Sequence, residues 1–238
     1  GIKLLSDINL VLPIAILAGA FLVGPKLLTL NVFTNSIGSY VNDFVKDSFA
    51  INPFGDKSWL GSWTIFYWAW WIAWGPFVGT FIARISKGRT IREFVFGVIL
   101  APSLVSFIWF SVFGSLGLNL DKGIISKAIE TTETALFVVF RQYPLGSIFS
   151  IIAICLLGTF FITSANSGIF VLSMFSSEGD MEPANGKKIF WGVIQALLAL
   201  VLLMTGGLGA LQTCSIVAAF PLAIIMLLCC VCLIKELM

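Results

Sequence analysis

Six stretches of this chain are long, apolar and free of aspartate, glutamate and arginine, and they narrow what it can fold into before any other feature is weighed. They run over 8–28, 63–83, 94–118, 146–175, 189–205 and 209–234. An apolar helix of about 20 residues crosses the roughly 30 Å hydrocarbon core of a bilayer, because it satisfies its own backbone hydrogen bonds where no water can. The single lysine among them, Lys26, is near one end, where its long stem can carry the ammonium to the interface. Composition agrees: 58% of the 238 residues are hydrophobic and 11% charged, against roughly 45–50% and 25% in soluble domains. A secretory signal would be shorter and followed by a soluble domain.

Charge sets the expected orientation. Arg84, Lys87, Arg89 and Arg92 crowd the short loop between the second and third stretches, and an excess of basic residues in short loops marks the cytoplasmic side. Six spans then put the N-terminus, the 84–93 loop, the 176–188 loop with Lys187 and Lys188, and the C-terminal Lys235 inside, with 29–62 and 119–145 outside. The expectation is a multi-pass protein of the plasma (inner) membrane. A net charge of +2 gives no reason to expect a nucleic-acid partner.

The five cysteines all fall in apolar stretches and the chain has no histidine, so they read as small hydrophobes rather than metal ligands or catalytic thiols. The chain opens at Gly1 and ends just past an apolar run, which suggests a piece of something longer. Between the first two stretches, Ile37, Tyr40, Val41, Phe44, Val45 and Phe49 recur at helical spacing opposite Asn42, Asp43, Lys46 and Asp47. This pattern predicts an amphipathic helix over 36–50 lying on the outer interface, or else a solvated segment packed on other loops.

Six of the eight tryptophans lie between positions 59 and 74. An interfacial aromatic belt suits Trp59 and Trp63. It does not suit Trp70, Trp71 and Trp74, which at 1.5 Å per residue lie about 10–17 Å deeper than Trp63. Positions i, i+1 and i+4 share a broad helix face, so these three can converge, with Phe66, Phe77 and Phe81 extending the stripe. A quaternary ammonium has no hydrogen to donate, and aromatic faces are its strongest recognition, worth roughly 2 kcal/mol or more each when desolvated. Helix packing by tryptophan is the competing reading. Gly75-Pro76 follows at once, and a mid-helix proline frees a carbonyl one turn earlier, a break that transporters exploit and ordinary membrane helices also tolerate.

The fourth stretch carries a polar interruption, Thr163-Ser164-Ala165-Asn166-Ser167-Gly168. Phe160, Thr163, Ser164 and Ser167 share a face, offering hydroxyls and carbonyls of the kind hard cations take. Such hydroxyls also serve as packing glue between membrane helices. No acidic, basic or imidazole group stands at the middle of any stretch, which weighs against an enzyme and mildly against proton coupling.

The run Trp63-Thr-Ile-Phe-Tyr-Trp-Ala-Trp-Trp-Ile-Ala-Trp-Gly-Pro-Phe-Val-Gly, continuing to Ala83-Arg-Ile-Ser-Lys-Gly-Arg-Thr-Ile-Arg-Glu, closely resembles the signature of the betaine/choline/carnitine transporter family, and the likeness extends over the chain through Gly158-Thr-Phe-Phe-Ile-Thr-Ser-Ala-Asn-Ser and from Gly206-Gly207 to Pro221. It covers the family's second half. The resemblance implies an all-α integral membrane fold: six transmembrane helices, the seventh to twelfth, of a LeuT-like five-plus-five inverted-repeat transporter. That is the last helix of repeat one and all of repeat two, with 1–238 a fragment of one transporter domain. It further implies that Trp70, Trp71 and Trp74 form the aromatic box for a trimethylammonium head, and that Phe66 and Phe81 line the permeation path. Phe160, Thr163 and Ser164 match one sodium site, and Phe77 a position near another. Asn166 stands where several members carry aspartate. Departures seen in sodium-independent carnitine exchangers, at the Thr163-Ser164 pair and at Trp74-Gly-Pro-Phe, are absent here.

The expectation is therefore a secondary active transporter importing a quaternary-ammonium osmolyte, glycine betaine foremost, with sodium as the coupling ion and no other cofactor. A proton-coupled choline carrier and a sodium-independent carnitine exchanger are the alternatives, with a membrane-embedded enzyme or a scaffold more distant. The expected partners are the small solute and the lipid bilayer, with a homotrimer by family analogy.

Overall fold

The computed structural model describes residues 2–238, and at Ile2, Lys3, Phe81, Arg84 and Ile85 it describes the backbone alone. Among the described residues the regular structure is all helical. In chain order the helices are α1 (Ile2–Val23), α2 (Lys26–Ser48), α3 (Phe66–Ile85), α4 (Ile91–Leu118), α5 (Lys122–Glu130), α6 (Ala135–Phe140), α7 (Gly146–Phe175) and α8 (Asn185–Leu237). A π-helical turn, Leu60–Ile65, leads directly into α3, so the expected span 63–83 falls on that turn and α3. Among the described residues, four helices are long and apolar enough to cross a membrane: Leu4–Val23, Ile91–Leu118, Gly146–Phe175 and Asn185–Leu237.

The last of these is 53 residues long and is interrupted at Gly207, whose φ of 57° and ψ of −135° are open to glycine and strained for any other residue. Gly207 falls between the expected spans 189–205 and 209–234. The expected span 8–28 is broken at Gly24-Pro25. Proline has no N–H to continue α1, and the new helix starts directly after it, so α2 begins at Lys26 rather than at 36 and absorbs the amphipathic segment into a longer helix. The 84–93 loop ends in a capping box. Thr90 N–H donates to Glu93 Oε2 (3.0 Å) and Glu93 N–H to Thr90 Oγ1 (3.3 Å), which sets the first turn of α4. Arg84, one of the basic residues used to orient that loop, lies outside the described side chains.

The helices form two compact units, one of residues 1–49 and 89–166 and the other of residues 50–88 and 167–238. The first unit is built on Ile16 and Ala20 of α1, Val112 and Leu116 of α4, Phe140 of α6, and Phe149 and Ala153 of α7. Two glycines allow the close approach. A methyl group on Gly19 would come within 2.5 Å of the Phe149 ring, and one on Gly24 within 2.8 Å of Leu116. Ser111 and Ser115 are buried here, and each spends its hydroxyl on the carbonyl one turn back, at 2.7 and 2.5 Å. In the second unit α3 packs on α8, and the end of α7 is tied to the start of α8. Lys187 Nζ donates to the Ser176 carbonyl and Trp191 Nε1 to the Ser176 hydroxyl, both at 2.9 Å, at the C-terminal end of α7 where a cation is favoured.

Candidate functional site

The aromatic cluster of α3 is sorted by which side of the helix packs. Among the described side chains of α3, Ala69 is the buried one, 5% exposed, and Ile72, Ala73 and Pro76 are half-buried on the same side. Small side chains are what membrane helices use to approach closely, and α8 packs here. Trp70, Trp71 and Trp74 are all turned to the other side, 42%, 70% and 41% exposed. At 100° per residue they span about a quarter turn with Trp70 and Trp71 at its edges and Trp74 between, so the i, i+1, i+4 spacing does bring the three indoles to one side of the helix.

Their ring contacts are longitudinal. Phe66 stacks on Trp70 at 5.9 Å between centroids and 17° between planes, and Tyr67 meets Trp70 at 5.7 Å. Phe77 meets Trp74 edge-on at 6.2 Å and Phe175 at 6.3 Å. Further toward the helix start, Trp59, Trp63 and Tyr67 stack in turn at 5.6 and 6.1 Å. Each contact holds a ring in place by roughly 0.5–1.5 kcal/mol beyond area burial, so the indole faces of Trp70 and Trp74 are pre-set by neighbours one turn away while their outer faces stay open. A cavity of about 100 Å³ lies in the other unit, between Phe33 and Ile37 of α2 and Phe107 of α4. Phe81 belongs to α3, and its side chain lies outside the described residues.

On α7, Phe160, Thr163 and Ser164 are in the first unit and Ser167 falls in the second, and Thr163 is wired to α1. Thr163 Oγ1 lies 3.0 Å from the Phe160 carbonyl and 3.1 Å from the Thr159 carbonyl, and it accepts from Asn9 Nδ2 at 3.0 Å. Thr159 donates to Asn9 Oδ1 at 2.6 Å. The Phe160 carbonyl and the Thr163 hydroxyl therefore lie together on one turn, with Ser164 half-buried beside them. The Phe160 ring is 56% exposed. Sequence reasoning missed Asn9 and Thr159. The available signal was an amide inside an otherwise uncharged apolar run, a group that must find a partner once it leaves water.

The model of the betaine/carnitine/choline transporter family matches the chain over residues 1–238. The chain belongs to that family. It is 50% identical over 231 residues to the glycine betaine transporter OpuD of Bacillus subtilis (strain 168), which covers 96% of this chain and 45% of the relative. To the probable glycine betaine transporter of Desulfitobacterium hafniense (strain Y51) it is 45% identical over 240 residues, 98% of this chain and 48% of the relative. To the ectoine/hydroxyectoine transporter of Virgibacillus pantothenticus it is 41% identical over 232 residues, 96% and 46%. The chain thus spans just under half the length of these relatives. Family and relatives alike are transporters, not enzymes, and with several long apolar helices the chain is part of a multi-pass membrane protein.

Proposed function

We propose that the whole protein imports a quaternary-ammonium osmolyte, glycine betaine foremost, and that inward sodium flow drives it. One observation carries the substrate class: three tryptophans, Trp70, Trp71 and Trp74, stand on the open side of α3 with two of them held by ring contacts. Three methyl groups shield the positive nitrogen of betaine and leave it nothing to donate, so the negative faces of indole rings are the fitting counterpart. The relatives are more than twice as long as this chain, and in this reading the remainder of the transporter closes over the aromatic side of α3. Phe66 and Phe81 belong to the path along the same helix. The 84–93 loop and the C-terminus face the cytoplasm.

Sodium coupling rests on the oxygen pair at Phe160 and Thr163, with Ser164 adjacent and Phe77 near a second ion. An ion drives transport only through different affinities for two conformations, so the pair must be better formed in one of them. The test is uptake of labelled glycine betaine by the full-length protein in cells lacking other betaine carriers, with and without a sodium gradient. Uptake that needs the gradient and is lost in Trp70→Leu/Trp74→Leu supports the reading. Uptake indifferent to sodium and driven by a proton gradient, or exchange against internal carnitine, replaces it. Ectoine is a second substrate to include, because one relative at 41% identity is named for it.

A further inference from the structure

Gln195 brings a whole amide into the middle of the membrane. It lies on the first segment of α8, about 15 Å along the helix from Asn185, which is half the thickness of a hydrocarbon core. The side chain is half-buried, its oxygen is sealed, and among the described residues that oxygen accepts no hydrogen bond. We infer that Gln195 holds a buried water molecule against α7 at Gly168.

A buried acceptor left unmet carries the full cost of its lost hydration, and lipid has nothing to donate. Turning the amide over changes nothing, because an unmet acceptor then becomes an unmet donor. The partner must therefore serve either end of the amide. It must also be small, since described atoms already close the oxygen off. Water meets both demands: it gives two hydrogens, takes two, and is what buried polar groups without a protein partner hold.

Gly168 makes the room. It belongs to the same unit as Gln195. A carbon placed where a side chain would begin on Gly168 lies 3.3 Å from Gln195 Nε2 and 4.0 Å from Oε1, and outside the adjoining part of α7 no other described atom comes within 4 Å. Such a spacing is tight for a methyl group and close to bonding range for the smaller water oxygen. A residue without a side chain also leaves the carbonyls of the turn before it uncovered, which gives the water a second partner on α7. One turn earlier on α8, a methyl group on Gly192 would meet Ile169 at 3.4 Å, so the two helices are close enough here for one water to bridge them. The water donates to the Gln195 oxygen and to α7, or accepts from the amide N–H if the amide is turned.

The direct test is a structure of the full-length protein at a resolution that shows ordered water. A peak within hydrogen-bonding distance of the Gln195 amide, over Gly168, is the expected result. An empty notch, or a side chain from the rest of the transporter bonded to the amide, overturns the inference. Variants compared by thermal unfolding of the full-length protein in detergent give an independent reading. Gly168→Ala puts a methyl group where the water lies and is expected to lower the midpoint by a few degrees. Gly168→Ser carries a hydroxyl of its own into the notch and is expected to lose less, although serine is larger and the poorer helix former. Size and helix propensity both predict the opposite order, so a serine variant no more stable than the alanine variant overturns the water. In a Gln195→Leu background there is no amide to satisfy, and the alanine variant is expected to become the more stable of the two. A serine advantage that persists there places its cause elsewhere and also overturns the inference. The structure needs no variant, so it decides the matter even where Gly168→Ala fails to fold.

Discussion

Gly75 of α3 stands against Met226 of α8, close enough that a methyl group on the glycine would come within 3.3 Å of the thioether sulfur. The neighbour is the flexible end of a methionine, so it can yield by a few tenths of an ångström. Gly75→Ala is therefore expected to stay within about 1 kcal/mol of the parent, with the gain in helix propensity offsetting the crowding. Gly75→Ile must push the helices apart and is expected to cost about 1–3 kcal/mol. Thermal unfolding of the full-length protein in detergent separates the two. Equal midpoints for both variants remove the close contact.

At the α6–α7 junction the constraint is stricter. A methyl group on Gly146 would overlap the Phe140 carbonyl, which is backbone and cannot swing aside, and the preceding Leu145 sits at φ +63°. Gly146→Ala is expected to abolish recovery of monodisperse protein. Leu145→Gly relieves a left-handed conformation that costs a side-chain-bearing residue about 1–2 kcal/mol, and Leu145 is exposed, so little packing is lost. A higher unfolding midpoint for Leu145→Gly is the expected result, and a lower one contradicts the strain.

Leu145 also marks where the sequence stops being readable. Nothing in a leucine announces a positive φ, since the conformation runs against the local preference of a residue with a Cβ. The aromatic side of α3 was legible because helical periodicity alone decides that positions 70, 71 and 74 fall together. Gly207, where α8 leaves helical geometry, falls between two apolar runs that the sequence reads separately, 189–205 and 209–234. What packs where was not: Asn9 and Thr163 are 154 positions apart, and no periodicity within either helix relates them. Nor could composition tell that Ala69 rather than a tryptophan faces α8, because both are apolar and only the shape of the partner helix distinguishes them.

Tyr143 reaches from the segment before α7 to the end of α4, where its hydroxyl donates to the Leu116 carbonyl at 2.8 Å. Carbonyls of the last turn lack helical donors, so the phenol supplies one of the missing bonds. Tyr143→Phe leaves the ring and removes only that donor, and the expected loss is about 1–2 kcal/mol in the unfolding equilibrium. No change in midpoint places the Leu116 carbonyl with another donor.

The loop before α3 carries a pH dependence of predictable sign. Asp56 accepts from the Ser58 hydroxyl at 2.7 Å and from the Ser58 N–H at 2.9 Å, and these bonds hold its carboxyl below the usual range. A carboxylate whose pKa is lowered by folding contributes order that is present above its unfolded value of 3.8 and is lost as pH falls through the lower folded value. Amide exchange at Ser58, corrected for intrinsic rates, is expected to accelerate below about pH 4 in the parent and to be fast at all pH values in Asp56→Ala. A pH-independent parent rate contradicts the ion–dipole contact.

The tryptophans of α3 test whether charge or mere apolarity selects the solute. The compound 3,3-dimethylbutanoate has the shape of glycine betaine with carbon in place of nitrogen, so it keeps the methyl groups and the carboxylate and loses the cation. Hydrophobic packing treats the two alike. Cation–π recognition separates them by about 2 kcal/mol for each desolvated ring, which is roughly thirtyfold in Kd for one ring and far more for three. Trp74 is the sharpest probe, since it lies between Trp70 and Trp71 on the open side and its ring is held edge-on by Phe77. Trp74→Phe keeps a weaker π face and is expected to lose a few-fold in betaine affinity. Trp74→Leu keeps only apolar bulk and is expected to lose about thirtyfold, narrowing the gap between betaine and its neutral analogue. Should the full-length protein bind the two compounds within threefold of each other, the indole side of α3 is a packing surface and the proposed substrate class is wrong.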